Sequence, residues 1–91
     1  MSKKILMFYL SSCPHCLMAM QFEKELSSGD QAYASLQIKR VEESEDPATA
    51  DKYDYYFVPT YYVDGVKAHE GRITRADVKK VFDAALNSND K

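Results

Sequence analysis

The chain has 91 residues, of which 45% are hydrophobic and 12% aromatic, a size and composition suited to one domain with an economical core. Lys and Arg number 12 against 14 Asp and Glu, which gives a net charge of −2 and no general attraction to nucleic acid or to an anionic membrane. We therefore expect a single domain over residues 1–91 and exclude nucleic acid and membranes as partners.

The first residues predict neither a membrane helix nor a secretory signal. The apolar run Ile5–Leu10 is short, whereas a membrane helix needs about 20 apolar residues and a signal needs a longer apolar region and a cleavage site. If Met1 is the natural start, we expect a cytoplasmic protein with reduced thiols, although a recombinant Met in place of a removed leader is an alternative. In the cytoplasm, two cysteines more often do chemistry or bind metal than form a structural disulfide.

Apolar periodicity and turn residues predict the elements of the chain in order. They are a strand over Lys4–Leu10, a helix over Pro14–Leu26, a strand over Ser35–Val41, a short helix over Pro47–Tyr53, strands over Thr60–Val63 and Val66–Glu70, and a last helix after Thr74. The apolar stripe of the first helix is Met18, Phe22 and Leu26, at i, i+4 and i+8.

Local signals define the second half of the chain. Asp64-Gly65 predicts a tight hairpin between two strands. Thr74 with Asp77 three residues later is a weaker form of the capping box. The helix that follows has a buried stripe of Val78, Val81, Phe82, Ala85 and Leu86, and Asn87–Lys91 should fray.

This order, β-α-β-α-β-β-α, predicts an α/β fold with a four-stranded mixed sheet and three helices, packed on both faces. The first crossover should be right-handed with parallel strands, whereas the last two strands form an antiparallel hairpin. Cys13 then follows the carboxyl end of the first strand and begins a helix. In open α/β sheets, reaction sites are often found at this position.

The run Cys13-Pro14-His15-Cys16 predicts a redox dithiol. Disulfide exchange requires an exposed thiolate, and the N–H groups and partial positive charge of a helix N-terminus stabilise one at Cys13. Cys16 lies one turn further in, which makes Cys13 the nucleophile and Cys16 the resolving thiol. Pro14 and His15 tune the potential, which we expect in the middle or upper part of the range from about −270 to about −120 mV.

A zinc site is the alternative to a redox dithiol for these cysteines. It needs four ligands, and the chain offers Cys13, Cys16, His15 and the distant His69, so a site within one chain is poor and we predict no metal.

Val58-Pro59-Thr60 is the second half of the predicted site. A proline at the start of a strand is common and by itself indicates no function. Beside the dithiol, however, we expect a cis Val58–Pro59 peptide whose backbone groups bind an extended substrate. Tyr56 and Phe57 precede it and, with Tyr55, form either an apolar docking patch or loop packing. Tyr61 and Tyr62 point to opposite sheet faces, so we expect one of them in the core.

These motifs resemble the thioredoxin and glutaredoxin superfamily over nearly the whole chain, from Met7 through the dithiol and Val58-Pro59-Thr60 to Gly71. The resemblance implies a thioredoxin fold of glutaredoxin size. The Pro-His pair between the cysteines resembles the periplasmic disulfide-introducing oxidases, which contain a large inserted helical domain that is lacking here.

The chain departs from both branches of this superfamily. Thioredoxins place a buried Asp under the dithiol where this chain has Met7, so that proton acceptor is missing. Glutaredoxins typically have a Lys at the position of Leu10 and a second Gly after Gly71, and both features serve glutathione. Arg72 or Arg75 could attract glutathione carboxylates, although solvated surface charge is the ordinary interpretation.

We therefore expect a monomeric dithiol–disulfide oxidoreductase, without a bound cofactor, that acts on a disulfide-containing protein or a small thiol. Its electron donor is a flavin reductase on the thioredoxin-like route, or glutathione as co-substrate on the glutaredoxin-like route. A hypothesis of another class is a non-catalytic module in which two chains share a metal or an iron–sulfur cluster through Cys13.

Overall fold

A computed structural model describes residues 3–86, and within that range the chain forms one mixed sheet with helices on both faces. The elements in chain order are β1 (Ile5–Tyr9), α1 (Pro14–Gly29), α2 (Gln31–Ala34), β2 (Ile38–Glu42), α3 (Pro47–Ala50), β3 (Thr60–Val63), β4 (Val66–Glu70) and α4 (Arg75–Leu86). The expected fraying of Asn87–Lys91 lies outside the described residues.

The sheet has the strand order β2-β1-β3-β4. Strand β1 is parallel to β2 and antiparallel to β3, and β4 is antiparallel to β3. Met7 in β1 pairs with Arg40 of β2 and with Tyr61 of β3, so these three residues form one row across the sheet. The predicted four-stranded mixed sheet is thus confirmed for the described residues, and Cys13 follows the end of a central strand.

The β3–β4 hairpin has the bounds that the sequence predicts. Asp64 and Gly65 both have positive φ, 54° and 86°, as a tight turn that matches the strand twist requires. The Asp64 N–H also donates to the Lys4 carbonyl at 2.8 Å, which ties the turn to the start of β1.

The helices differ from the prediction in three respects: α1 is longer, an additional helix follows it, and α3 is shorter. Helix α1 continues to Gly29, and an additional helical turn, α2, follows because the Asp30 side chain accepts the Ala32 N–H at 2.9 Å and caps it. Residues 31–34 are therefore helical, and β2 begins at Ile38 instead of Ser35. Helix α3 ends at Ala50, three residues before the predicted end.

Helix α1 buries a face that is rotated from the predicted one; of the predicted stripe, Leu26 is buried, but Met18 and Phe22 are not. Met18 is 49% exposed, and Phe22 packs only at the edge of the core. The small side chains of Cys16 and Ala19 are fully buried instead. The buried residues of this face are Cys16, Ala19, Glu23 and Leu26.

Two hydrophobic clusters lie on opposite sides of the sheet. The larger lies under α1 and α4 and includes Met7, Tyr61, Val78 and Phe82. The smaller lies on the α3 side and is built on Phe8, Val41, Ala50 and Tyr62. We expected one of Tyr61 and Tyr62 in the core, but both are buried. Their side chains alternate to opposite faces of the sheet, and both faces are covered.

Candidate active site

Cys13 is the N-cap residue of α1. Its backbone is extended, and its Sγ accepts the N–H of Cys16 at 3.2 Å, as the oxygen of a capping side chain does. The Cys13 N–H donates to the Leu10 carbonyl at 3.1 Å across the turn that links β1 to α1. The structure thus holds a partly exposed sulfur at the N-terminal end of a helix, in contact with a backbone N–H donor.

Cys16 has the opposite environment. Its side chain is fully buried, and both cysteines are free thiols in the structure. Burial, followed by the hydrogen bond with Cys13, raises the pKa of Cys16 to about 12. The pair is therefore asymmetric, with one sulfur open to solvent and one thiol held neutral behind it.

Pro14 and His15 lie on the first turn of α1, and both are exposed. Pro14 occupies the start of the helix, where its missing N–H costs no hydrogen bond. The two residues predicted to tune the dithiol therefore lie between Cys13 and Cys16 and are accessible to solvent.

The Val58–Pro59 peptide is cis, and the loop it belongs to meets the dithiol. The Cys13 Sγ lies 3.8 Å from the Val58 carbonyl oxygen. Pro59 and Thr60, which we had grouped with the substrate-binding residues, are fully buried, and the Thr60 hydroxyl donates to the Phe57 carbonyl at 2.5 Å. Their side chains support the loop, whereas Val58 is the member of the motif that borders the nucleophile.

Tyr56 and Phe57 present their rings to solvent beside this loop, with exposures of 85% and 68%. Their backbone N–H groups donate to the Glu70 carboxylate at 2.5 and 3.0 Å. Gly71 has a φ of 88°, and a Cβ there would lie 3.5 Å from the Cβ of Phe57. Two exposed aromatic rings are thus held on a fixed backbone.

Residues 1–83 match the family described as thioredoxin domain. The chain belongs to the thioredoxin domain family. No curated protein matches it significantly.

Solved structures share the fold of this thioredoxin domain at low sequence identity. A structure titled as a malarial protein is 14% identical with a TM-score of 0.71, and the match covers 94% of this chain and 99% of that one. The N21Q mutant thioredoxin from Halobacterium salinarum NRC-1 is 20% identical with a TM-score of 0.68, covering 94% and 76%. The oxidised thioredoxin from Plasmodium falciparum is 20% identical with a TM-score of 0.67, covering 90% and 79%.

Tyr55 is packed inside the domain, unlike Tyr56 and Phe57. Its ring stacks on Phe8 with centroids 4.8 Å apart, and its hydroxyl donates to Glu43 at 2.6 Å. Of the Tyr55–Phe57 segment, Tyr55 is therefore packed in the smaller cluster, while the next two residues form the exposed patch.

Two carboxylates of this thioredoxin domain hold the backbone around the site, a third is buried in α1, and none of the three was identified from the sequence. Glu70 holds the Tyr56–Phe57 backbone, and Glu42 accepts the Ser11 N–H at 2.9 Å in the turn before Cys13. Glu23 is 4% exposed on the same face of α1 as Cys16. A charged residue seven positions after Cys16 was the signal for Glu23, because that spacing returns to the same helix face.

A groove of about 440 Å³ lies on the side of the smaller cluster and reaches Leu10, three residues before Cys13. Leu10, Glu43, Asp51 and Tyr56 are among its lining residues, and none of the described residues that line it is Lys or Arg. The groove therefore presents aromatic rings and negative charge.

Within residues 3–86, no group of three or more His, Cys, Asp or Glu side chains is arranged to hold a metal ion. None of the helices in the same range is long and apolar enough to cross a membrane.

Proposed function

We propose that this thioredoxin domain is a dithiol–disulfide oxidoreductase in which Cys13 attacks a substrate disulfide and Cys16 resolves the intermediate. The observation that carries the proposal is the asymmetry of the pair: the Cys13 sulfur accepts a helix N-terminal N–H at 3.2 Å and is partly exposed, whereas Cys16 is fully buried.

In the first step the Cys13 thiolate attacks one sulfur of the substrate disulfide. A bond forms between Cys13 and that sulfur, and the other substrate sulfur leaves as a thiolate. The Val58 carbonyl, 3.8 Å from the Cys13 Sγ, lies where it can pair with a backbone N–H of an extended substrate segment.

In the second step Cys16 loses its proton and attacks the Cys13 sulfur. The Cys13–Cys16 disulfide forms, the second substrate thiolate leaves, and the proton from Cys16 ends on a departing thiolate. The substrate disulfide is reduced by two electrons to one thiol and one thiolate, the latter taking a proton from solvent, and the dithiol is oxidised by two electrons. A pKa of Cys16 near 12 keeps this thiol unreactive until Cys13 carries a substrate.

The surroundings of Cys13 favour a protein disulfide over glutathione as substrate. The exposed rings of Tyr56 and Phe57 provide an apolar contact surface, and Glu43, whose charge acts on Cys16, repels the carboxylates of glutathione. We propose a monomer in a reducing cytoplasm, recharged by a flavin reductase on the thioredoxin-like route.

Trapping the intermediate tests this mechanism. Cys16→Ser should form a stable mixed disulfide with a peptide or insulin disulfide, visible by intact mass, because the resolving thiol is gone. Cys13→Ser should form none, since the remaining thiol is buried. Efficient trapping through Cys16 in the Cys13→Ser variant would reverse the assigned roles.

The choice of electron donor is tested separately. Glutathione–disulfide exchange by Cys16→Ser should stay close to background. Robust turnover there would overturn the preference for the thioredoxin-like route and leave the glutaredoxin-like alternative.

A further inference from the structure

Glu70, the last residue of β4, has no part in the steps above but binds the loop that runs past the nucleophile. Its Oε2 accepts the Tyr56 N–H at 2.5 Å and the Phe57 N–H at 3.0 Å. Its Oε1 accepts Lys67 Nζ at 2.8 Å, so both oxygens of the carboxylate are engaged. Hydrogen bonds to an ionised acceptor are stronger than those between neutral groups, so this contact restrains the backbone of the loop.

Phe57 is held from both sides by a cross-strand pair. Thr60 of β3 and Glu70 of β4 lie directly opposite each other in the sheet. The Thr60 hydroxyl donates to the Phe57 carbonyl at 2.5 Å, whereas Glu70 accepts the N–H of the same residue. The two side chains therefore bind both backbone polar groups of one loop residue, and the β3–β4 hairpin determines where that residue lies.

The hairpin also binds the loop on the other side of Val58. The Gly71 N–H donates to the Pro59 carbonyl at 2.8 Å. Val58 thus lies between two residues, Phe57 and Pro59, that are both hydrogen-bonded to the hairpin. The Val58 carbonyl oxygen is 3.8 Å from the Cys13 Sγ, while the Phe57 ring beside it is 68% exposed. The backbone group nearest the nucleophile is therefore positioned through its anchored neighbours.

The contacts of Glu70 with the loop distinguish it from an ordinary surface charge. An exposed Lys–Glu pair contributes little by itself, because solvent screens the attraction. The hydrogen bond from Lys67, followed by that from the Tyr56 N–H, lowers the pKa of Glu70 to about 2. At neutral pH both oxygens are therefore acceptors, and the carboxylate holds the loop in its ionised form.

We propose that Glu70 is a positioning residue that sets the affinity of the site for polypeptide disulfides, by holding the Phe57–Val58 backbone where an extended chain binds. The proposal rests on the proposed function, in which Cys13 attacks and the Val58 carbonyl pairs with the substrate. Glu70 touches no reacting atom, so the exchange itself does not depend on it. A peptide with an apolar residue beside its cysteine contacts this loop, whereas a small disulfide reaches Cys13 without it.

Two neutral probes with the same leaving group separate docking from exchange. One is a short neutral peptide with apolar residues beside a cysteine that is activated as a pyridyl disulfide, and the other is dipyridyl disulfide. In both reactions the Cys13 and Cys16 thiols lose two electrons and two protons and form their internal disulfide. The probe disulfide takes up both and ends as two thiols, of which at least one is the coloured pyridinethione. Its release in a single turnover of the reduced domain gives a limiting rate and a half-saturating concentration.

Two variants of Glu70 separate reach from charge. Glu70→Asp keeps the charge but withdraws the carboxylate by one methylene group, so the loop loses its acceptor. The half-saturating concentration of the peptide should then rise about tenfold, because apparent affinity falls with the fraction of chains whose loop is in the binding conformation. Glu70→Gln should lose less, since its amide oxygen can accept both N–H groups. The limiting rate and the rate with dipyridyl disulfide should stay unchanged in both variants.

A second variant releases Phe57 from the opposite side. Thr60→Val keeps the shape of a buried side chain and removes the hydroxyl that donates to the Phe57 carbonyl. It should also weaken binding of the peptide and leave the rate with dipyridyl disulfide unchanged, and it serves if Glu70→Asp fails to fold. Glu25 is the matched control, because it forms an exposed ion pair with Arg75 on another face of the domain. Glu25→Asp should leave both probes unaffected.

Three results would overturn the proposal. They are equal losses of rate with both probes, a larger loss of peptide affinity in Glu70→Gln than in Glu70→Asp, and a wild type whose rate does not saturate with the peptide. The first would make Glu70 a merely structural residue, and the second would assign its effect to charge. A Cys13→Ser variant that reacts with dipyridyl disulfide as fast as the wild type would contradict the proposed function instead, whatever the Glu70 variants show.

Discussion

Glu42 is a single side chain that connects the turn before the nucleophile to the sheet. Its Oε2 accepts the Ser11 N–H at 2.9 Å, and its Oε1 accepts the N–H and hydroxyl of Ser44 at 2.7 and 2.5 Å. These hydrogen bonds, from Ser44 first and then Ser11, lower the pKa of Glu42 to about 2. The position of Cys13 at the end of β1 therefore depends in part on an ionised carboxylate at the end of β2.

This shift has a direct consequence for acid stability. The pKa of Glu42 is lower in the folded chain, about 2, than the unfolded value of about 4.3. A lowered carboxyl pKa gives stability that is complete above the unfolded value and is lost as the pH falls towards the folded one. Glu70, whose pKa is also lowered to about 2 by Lys67 and the Tyr56 N–H, adds to the same window.

We therefore expect the free energy of unfolding to fall between about pH 5 and about pH 2, and to fall less steeply in Glu42→Gln. Urea unfolding at a series of pH values measures this slope. The exposed Glu45→Gln is the control and should keep the wild-type slope. An unchanged slope in Glu42→Gln would mean that its hydrogen bonds do not depend on ionisation.

At the scale of elements, the sequence predicts best where the cause is local. The β3 and β4 bounds follow from the Asp64-Gly65 turn, and the stripe of α4 is confirmed because Val78, Val81 and Phe82 repeat at helical spacing and are all buried. These features depend on neighbours within a few residues.

The elements that were predicted less well depend on distant contacts. The rotated face of α1 contains Glu23, whose charge is compensated by Arg40 from β2, 17 residues away in the chain. Periodicity alone assigns a Glu to the solvent side and therefore favours the stripe through Met18. Glu23 and Arg40 were not predicted because their pairing is long-range, whereas Cys13 and Cys16 were found because their spacing is local.

The cap of α4 gives an element-scale prediction. The Thr74 Oγ accepts the Asp77 N–H at 3.2 Å, and an Asp77 oxygen accepts the Thr74 N–H at 2.9 Å, which completes the predicted capping box. Thr74→Ala should reduce the free energy of unfolding by about 1 kcal/mol in urea titrations, because a helix N–H loses its acceptor. Thr74→Ser retains the hydroxyl and should stay near the wild type; a loss as large as that of Thr74→Ala would assign the effect to the methyl group.

On the scale of the whole molecule, the sheet divides the core in two. Helices α1 and α4 pack on one face through the larger cluster, and α3 packs on the other through the aromatic group around Phe8. The dithiol belongs to α1, so its position relative to the Val58 loop depends on how firmly the larger cluster holds that helix to the sheet. Phe82 joins this cluster to α2, with its ring centroid 5.4 Å from that of Tyr33.

Phe82→Ala should destabilise the entire domain and not α4 alone. The side chain is 1% exposed, and removal of a buried Phe costs about 3–5 kcal/mol, a large part of the roughly 5–15 kcal/mol that stabilises a domain. Since the chain lacks Trp, circular dichroism and Tyr fluorescence are suitable probes, and their urea transitions should shift together. Leu17→Ala, at a side chain that is 56% exposed on α1, should change stability little. Separate transitions in Phe82→Ala would show that the two clusters unfold independently, in which case the position of the dithiol would depend on the larger cluster alone.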